Sequence, residues 1–183
     1  MTLRSYQRRA VSAVFKAFEK HRSVLIVLPT GTGKTCIFAE VARQIIDQGK
    51  RVMVVAHRDE LIVQGADKIA RIAGVMPEIE KASQWADQGW QSWNSSVIVS
   101  SVQTQNAGFN GNGRMTRFSP KNFGLLICDE AHRSTAKSWA KVINWYQQNP
   151  DLKVLGVTAT PNRHDGNALA RIFDVCPYKY WLA

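Results

Sequence analysis

The chain has few cysteines, no long hydrophobic segment and no apolar leader. Its three cysteines, Cys36, Cys128 and Cys176, lie far apart and form no Cys-x-x-Cys pair, which argues against a zinc site or a disulfide framework. The longest apolar runs, residues 24–28 and 52–56, are far shorter than the roughly 20 residues of a membrane-spanning helix. The first residues lack the apolar core of a signal peptide. We therefore expect a cytoplasmic protein with buried free thiols and no membrane partner.

Acidic side chains are scarce beside basic ones. The 183 residues include 24 Lys and Arg against 14 Asp and Glu, which gives a formal net charge of +10. A basic excess of this size favours a polyanionic partner, because contacts with nucleic-acid phosphates release condensed counterions. The alternative is a soluble protein with a basic surface and no such partner, and charge does not distinguish the two. The positive residues are dispersed, so we do not expect a basic tail.

A length of 183 residues with 45% apolar residues is typical of one globular domain. Short, continuous apolar runs alternate with segments of helical periodicity, as expected for strands buried on both faces of a sheet with helices between them. Strands are predicted over 24–28, 52–56, 97–100, 125–128 and 154–157, and helices over 4–20, 34–48, 58–73, 135–148 and 167–173. This order predicts an α/β fold with a mostly parallel sheet flanked by helices.

Two segments do not follow this pattern. Residues 107–121 begin with several glycines and asparagines and are predicted to form a mobile loop. Residues 77–94 have no assignment. Their three tryptophans, Trp85, Trp90 and Trp93, could stack on nucleic-acid bases, although a packed insertion is the simpler interpretation. We therefore assign no site to them.

The residues after the first predicted strand are those of a phosphate-binding loop. Thr30-Gly31-Thr32-Gly33-Lys34-Thr35 lies between a strand and a helix, where backbone N–H groups and the helix N-terminus can surround phosphate oxygens. Lys34 is expected to reach the β- and γ-phosphates and the Thr35 hydroxyl to bind Mg²⁺. The usual pattern has a glycine where this chain has Leu28. A glycine-rich turn with an incidental lysine is the alternative, but the strand–loop–helix context favours nucleotide binding.

Two carboxylates follow the predicted strand over 125–128. Asp129 is suited to Mg²⁺, which prefers one or two carboxylates together with phosphate oxygens. Glu130 beside it can accept a proton from an attacking water. Acidic residues at strand ends are often only solvated, but ligands of parallel sheets bind at the carboxyl ends of strands. We therefore expect Lys34, Asp129 and Glu130 to meet at one site.

The order of these motifs resembles that of the superfamily 2 helicases and translocases. Asp129-Glu130-Ala131-His132 has the DEAH form of that family's motif II, and the phosphate loop is similar to its motif I. Four further segments resemble the adenine-reading motif, motif Ia, a nucleic-acid-contacting motif and motif III: Arg4-Ser5-Tyr6-Gln7, Ala56-His57-Arg58-Asp59-Glu60-Leu61, Ser100-Ser101-Val102-Gln103-Thr104 and Thr158-Ala159-Thr160-Pro161. Residues 162–166 are similar to the branch with type III restriction motor subunits, phage recombination helicases and the excision-repair translocase.

The resemblance implies a RecA-like ATP-binding lobe with ATP and Mg²⁺ as cofactors. Gln7 would read adenine, a role that suits a carboxamide. Glu130 would be the general base, and Asp129 and Thr35 would hold Mg²⁺. Each of these residues also has an ordinary structural interpretation, such as a surface glutamine on a first helical turn.

The resemblance also implies a nucleic-acid partner, with DNA favoured over RNA because residues 158–166 are similar to the DNA-translocating branch. Residues expected to contact its phosphates are Arg58, Gln103 and Thr104. Residues expected to couple this contact to the nucleotide site are His132, Thr158 and Thr160. An arginine that opens a helix and a threonine that closes a strand are also common without any such role.

Motors of this family have two lobes, with ATP held between them, and this chain contains nothing similar to motifs IV to VI. Residues 1–183 are therefore expected to be the first lobe alone. The arginines that stabilise the transferring phosphoryl group would come from a second lobe, in cis or in trans, and hydrolysis without it should be weak or absent. A binding module without turnover is the alternative function. A small kinase or GTPase is less favoured, because no Asn-Lys-x-Asp guanine-reading motif occurs.

Overall fold

The computed structural model describes residues 2–57, 59–81, 83–86, 95–108, 113–159 and 169–181. Within these ranges seven strands form one sheet: β1 (Ser23–Val27), β2 (Arg51–Ala56), β3 (Glu78–Glu80), β4 (Val97–Ser101), β5 (Phe123–Asp129), β6 (Lys153–Thr158) and β7 (Val175–Lys179). The same ranges contain five α-helices: α1 (Ser5–Phe18), α2 (Lys34–Ile46), α3 (Asp59–Ala73), α4 (Val102–Asn106) and α5 (Lys137–Tyr146). The strand order is β3-β4-β2-β5-β6-β1-β7, and every neighbouring pair is parallel.

Both faces of the sheet are covered, which explains why its strands are continuously apolar. Alternate side chains of a strand point to opposite faces, so a strand buried along its whole length needs cover on both. On one face, Ile26 and Val54 join an apolar cluster with α1, α2 and α3. On the other face, Val27 and Val55 join a second cluster with α5. The prediction of an α/β fold with a mostly parallel sheet is confirmed, and the described sheet is wholly parallel.

Three elements were absent from the sequence prediction. Strand β3 has only three residues, too few to give a recognisable pattern. Strand β7 contains Pro177, which argues against a central strand but is tolerated here because β7 lies at the edge of the sheet. Helix α4 is a single short turn that begins directly at the end of β4.

The loop prediction for residues 107–121 is wrong for most of the described part. Residues Arg114–Arg117 and Pro120–Asn122 form two 3₁₀ turns. Met115 and Phe118 are buried in the cluster beneath α5, and their burial fixes this stretch in spite of its polar composition. Residues 109–112 lie outside the described residues. The helix predicted over 167–173 is described only from residue 169, where the N–H groups of Ile172 and Phe173 donate to the Leu169 carbonyl.

Candidate nucleotide and nucleic-acid site

The first part of the candidate site is the loop between β1 and α2. The chain turns there at Gly31 and Gly33, whose φ angles of 83° and 77° lie in the left-handed region that favours glycine. Helix α2 begins at Lys34 with Gly33 as its N-cap. The first N–H groups of a helix have no partner within it, so this end of α2 is suited to bind an anion. Thr30 is exposed, whereas Lys34 and Thr35 are half-buried.

Thr32 is hydrogen-bonded within this loop and to the start of α1. It is buried, and its hydroxyl donates to the Pro29 carbonyl at 2.7 Å. Its own carbonyl accepts hydrogen bonds from the Tyr6 hydroxyl at 2.7 Å and from Gln7 Nε2 at 3.1 Å. The start of α1 therefore supports the phosphate loop from behind.

The structure brings Lys34 to the carboxylates that follow β5. Lys34 Nζ lies 3.8 Å from Glu130 Oε1, and the two side chains are 11% and 27% exposed. The parallel sheet explains this contact, because β1 and β5 both pair with β6 and their carboxyl ends lie at the same edge. Partial burial keeps water from screening this ion pair fully.

Asp129 and Glu130 form a closely spaced carboxylate pair. Burial and the neighbouring Glu130 carboxylate raise the pKa of Asp129 to about 6, against the opposing effects of the Glu130 N–H, Lys34 and Lys68. The Glu130 N–H donates to Asp129 Oδ1 at 3.0 Å. Glu130 has a φ of 56°, the one positive value among the described non-glycine residues. Such a backbone costs on the order of 1 kcal/mol and turns the chain sharply directly after the strand.

His132 lies between Glu130 and the end of β6. Its Nδ1 is 3.3 Å from Glu130 Oε2 and 3.0 Å from the hydroxyl of buried Thr158. The expected coupling residues His132 and Thr158 are thus in contact with each other and with Glu130. Thr160 lies outside the described residues.

Gln7 is buried against the phosphate loop, with 5% of its surface exposed. Its Oε1 accepts from the Arg4 N–H at 2.8 Å, and its Nε2 donates to Thr32 as described above. The adenine contact expected for Gln7 stays a prediction. Sequence reasoning assigned no role to Tyr6 or Tyr180, whose rings stack at 4.5 Å beside the loop. Tyr6 could have been noticed because it adjoins Gln7 in the sequence, whereas no local pattern indicated Tyr180.

The residues expected to contact nucleic acid have different environments. Gln103 is exposed on α4. Thr104 is buried, and its hydroxyl accepts from the Ser101 hydroxyl at 2.9 Å, so its contact with a phosphate stays a prediction. Arg58 lies outside the described residues.

The contact between His57 and Arg133 was not foreseen. His57 follows β2, and its Nε2 lies 3.2 Å from Nη1 of Arg133, in the turn after β5. This hydrogen bond joins the ends of two neighbouring strands, one at the carboxylate pair and the other at motif Ia.

The strand order arranges these groups along one edge of the sheet. From one side to the other, the carboxyl ends of β1, β6 and β5 carry the phosphate loop, Thr158 and the carboxylate pair. The ends of β2 and β4 continue the same edge with His57 and α4. The half of the edge expected to bind a nucleotide therefore adjoins the half expected to contact nucleic acid.

Comparison with known proteins identifies the family. A family model described as "Type III restriction enzyme, res subunit" matches residues 1–163. The chain belongs to this family. Two relatives of this res-subunit domain are irc3 of Schizosaccharomyces pombe, a proposed mitochondrial ATP-dependent helicase, and the ATP-dependent DNA helicase MPH1 of Coccidioides immitis. Identity to irc3 is 30% over 97% of this chain and 29% of irc3, and identity to MPH1 is 29% over 76% of this chain and 13% of MPH1.

The res-subunit domain also resembles solved helicase structures in fold. The helicase domain of Hef from Pyrococcus furiosus superposes with a TM-score of 0.77 at 23% identity, over 96% of this chain and 38% of that one. The predicted RecA-like fold and the resemblance to superfamily 2 helicases are confirmed. The predicted class, an ATP-dependent helicase domain, agrees with the names of both relatives. The chain spans less than a third of the length of either relative.

Two expectations, free buried cysteines and the lack of a membrane-spanning helix, can be compared with the structure. Cys36 and Cys128 are buried and Cys176 is half-buried, and none of the three is in a disulfide. In the part of the chain that the structure describes, no helix combines the length and apolar character needed to cross a membrane. The cytoplasmic location stays a prediction.

Proposed function

We propose that the chain is the ATP-binding lobe of a helicase or translocase that acts on DNA. The observation that carries this proposal is the 3.8 Å approach of Lys34 in the phosphate loop to Glu130 after β5. A phosphate-binding lysine beside a carboxylate base is the arrangement that NTP hydrolysis needs. Membership of a family whose relatives are named ATP-dependent helicases supports the proposal independently.

The residues of the site fit ATP and Mg²⁺. The loop from Thr30 to Thr35 offers backbone N–H groups to phosphate oxygens, and Gln7 lies beside it for the adenine. The hydroxyl of Thr35 and the carboxylate of Asp129 are hard oxygen donors of the kind that Mg²⁺ takes together with phosphate oxygens. When bound, the cation would neutralise charge that develops on the phosphates. Its charge would also offset the repulsion from Glu130 that raises the pKa of Asp129.

Glu130 is the proposed general base. Lys34 and His132 flank its two carboxylate oxygens at 3.8 Å and 3.3 Å and hold the carboxylate in place. When Lys34 turns to the phosphates of a nucleotide, Oε1 becomes available to accept a proton from the attacking water. Because His132 also contacts Thr158, a movement of the Glu130 carboxylate would be transmitted to the end of β6.

The nucleic-acid side of the proposal involves the ends of β2 and β4. Gln103 is exposed there, and we include Arg58 and Thr104 on the strength of the motif order alone. Thr160 is included with the coupling residues on the same ground. The hydrogen bond from Arg133 to His57 is the described link between this side and the carboxylate pair. DNA is proposed over RNA because the MPH1 relative is named a DNA helicase.

Hydrolysis is proposed to need a second RecA-like lobe, in cis or in trans. Arginines that stabilise phosphoryl transfer contribute about 10³- to 10⁵-fold in rate, and no described arginine lies within hydrogen-bonding distance of Lys34 or Glu130. Residues 1–183 would then bind ATP and turn it over slowly.

The first test compares the chain with Lys34→Ala and Glu130→Gln. ATP binding in Mg²⁺ buffer should weaken about 10-fold or more in Lys34→Ala, because a charge-assisted contact is lost. Glu130→Gln should keep ATP binding and lose the residual turnover. Lys20→Ala, an exposed lysine beyond α1, is the matched control and should behave like the parent chain.

Steady-state turnover is measured with and without single-stranded DNA, double-stranded DNA and RNA. Equal turnover in the parent chain and Glu130→Gln would contradict the catalytic proposal and favour a binding module. Strong DNA-stimulated turnover by the chain alone would contradict the need for a second lobe. Stronger stimulation of turnover by RNA than by DNA would contradict the choice of DNA.

A further inference from the structure

Trp85 is an exposed indole at the carboxyl edge of the sheet. It follows β3 and has 44% of its surface exposed, whereas the core tryptophan Trp139 has 1%. Two guanidinium groups lie over its ring: the Cζ atoms of Arg114 and Arg117 are 3.5 Å and 4.7 Å from the ring centroid. The residue is therefore not simply part of a packed insertion, and a large part of the ring stays open to solvent.

A buried carboxylate holds the two arginines in position. Glu80, with no exposed surface, lies with Oε1 2.6 Å from Arg114 Nε and 2.9 Å from Arg117 Nη1. Its Oε2 accepts from the Ala86 N–H at 2.6 Å. The two arginines also hold the backbone on both sides of Trp85, because Arg114 donates to the Gln84 carbonyl and Arg117 to the Ala86 carbonyl. The indole is thus preorganised at a fixed orientation.

This cluster lies next to the proposed nucleic-acid side of the edge. Strand β3 pairs in parallel with β4, and α4 with exposed Gln103 begins where β4 ends. The Arg114 N–H donates to the carbonyl of Ala107, the residue directly after α4. Starting from the phosphate loop, the edge therefore runs through the carboxylate pair, His57 and α4 to Trp85.

We propose that Trp85, with Arg114 and Arg117, is a binding site for single-stranded nucleic acid. The indole stacks on one base, Arg114 holds the ring from within the protein, and Arg117, whose side chain is 32% exposed, supplies positive charge to an adjacent phosphate. Charge complementarity favours this occupant: the exposed part of Arg117 lies beside the indole, in a chain of net charge +10. Stacking on an aromatic ring is sequence-tolerant, as a moving motor would need. The inference rests on the proposed function.

The test measures binding of a labelled oligothymidine to the chain and to Trp85→Ala, Trp85→Phe and Trp181→Ala. Trp181 is the matched control, an exposed tryptophan beyond β7 at the opposite side of the sheet, with 62% exposure. We expect binding to weaken about 10-fold in Trp85→Ala, by the loss of one stacked base. Trp85→Phe should stay within about 3-fold of the parent chain, and Trp181→Ala should be unchanged.

An abasic oligonucleotide of the same length separates stacking from a general effect on the surface. The parent chain and Trp85→Ala should bind it equally, because it has no base to stack. ATP binding, measured on the same samples, should be equal in all variants and reports on the fold.

Two failures can be distinguished. If the parent chain binds the oligothymidine and Trp85→Ala binds it equally well, the inference is overturned and the proposed function stands. If the parent chain binds no nucleic acid at all, both are overturned. Equal weakening of Trp85→Ala on normal and abasic strands would also overturn the stacking site.

Discussion

The carboxylates of Asp129 and Glu130 lie side by side at the end of β5, and this proximity has a cost for folding. Burial and the charge of Glu130 raise the pKa of Asp129 from 3.8 to about 6. A raised pKa in the folded chain means that ionised Asp129 destabilises the fold at every pH above about 6. The cost declines as the pH falls from 6 towards 3.8, and it is absent below. The cation-binding role proposed for Asp129 would explain a charge that stability alone does not favour.

We therefore predict that Asp129→Asn stabilises the chain in metal-free buffer. At pH 8 the free energy of unfolding should rise on the order of 2 kcal/mol, because the amide carries no charge but can still accept from the Glu130 N–H. The gain should shrink through pH 6 and vanish near pH 4. Urea denaturation in EDTA at these three pH values measures it, with exposed Asp67→Asn as the control. A gain that is larger at pH 4 than at pH 8 would contradict the prediction.

Gly31 and Gly33 offer a second comparison at the residue scale. Both have a left-handed backbone, with φ of 83° and 77°, so an alanine costs each of them about 1 kcal/mol. Only at Gly33 would the added Cβ meet a neighbour, 2.6 Å from Gln7 Nε2, whereas Gly31 faces open space. The two substitutions therefore differ in their effect on Gln7.

We expect Gly33→Ala to displace Gln7 from Thr32 and to lower the preference for ATP over GTP about 10-fold, the loss of one good base contact. Gly31→Ala should keep that preference. Calorimetric titration of each variant with ATP and GTP measures both ratios. If the two variants keep the same ratio as the parent chain, Gln7 does not read adenine.

At the scale of elements, the end of β3 depends on one buried charge. Glu80 holds Arg114 and Arg117, and the Arg114 side chain is only 10% exposed. The main-chain carbonyl of Glu80 also accepts a hydrogen bond from the Ser100 hydroxyl at 2.9 Å, which links β3 to β4. Removal of Glu80 would leave a largely buried guanidinium without its counter-charge, a situation that costs several kcal/mol in other proteins.

We predict that Glu80→Ala lowers the free energy of unfolding by about 3 kcal/mol. Asp67→Ala, which removes an exposed carboxylate from α3, should change it by less than about 0.5 kcal/mol. Urea denaturation compares the two variants. A loss of similar size in both would mean that the Glu80 network contributes no more than a surface charge.

At the scale of the whole molecule, the order of the strands decides which residues meet at the carboxyl edge of the sheet. Lys34 and Glu130 are far apart in sequence but meet because β1 and β5 both lie beside β6. The same order extends the edge through β2 and β4 to β3, so that Trp85 joins the side expected to contact nucleic acid. One parallel sheet therefore holds the nucleotide loop, the proposed base and the proposed stacking site at one edge.

The sequence by itself determined the type of each main element and the position of the chemistry. Continuous apolar runs identified β1, β2, β4, β5 and β6, because burial on both faces requires such runs. The residues directly after those runs identified Lys34, Asp129 and Glu130, because ligands bind at strand ends. These signals are local: a period of two or 3.6 residues and a loop flanked by a strand and a helix can be read within about 15 positions.

Only the tertiary structure decided which of these local features meet. Residues distant in sequence come together in the strand order, in the buried surroundings of Glu80, in the stack of Tyr6 on Tyr180 and in the contact of His57 with Arg133. Such contacts are selected by packing of the whole chain, since many pairings share the same local pattern. For the same reason Trp85 looked like one of three equivalent tryptophans until its arginines and their buried carboxylate were located around it.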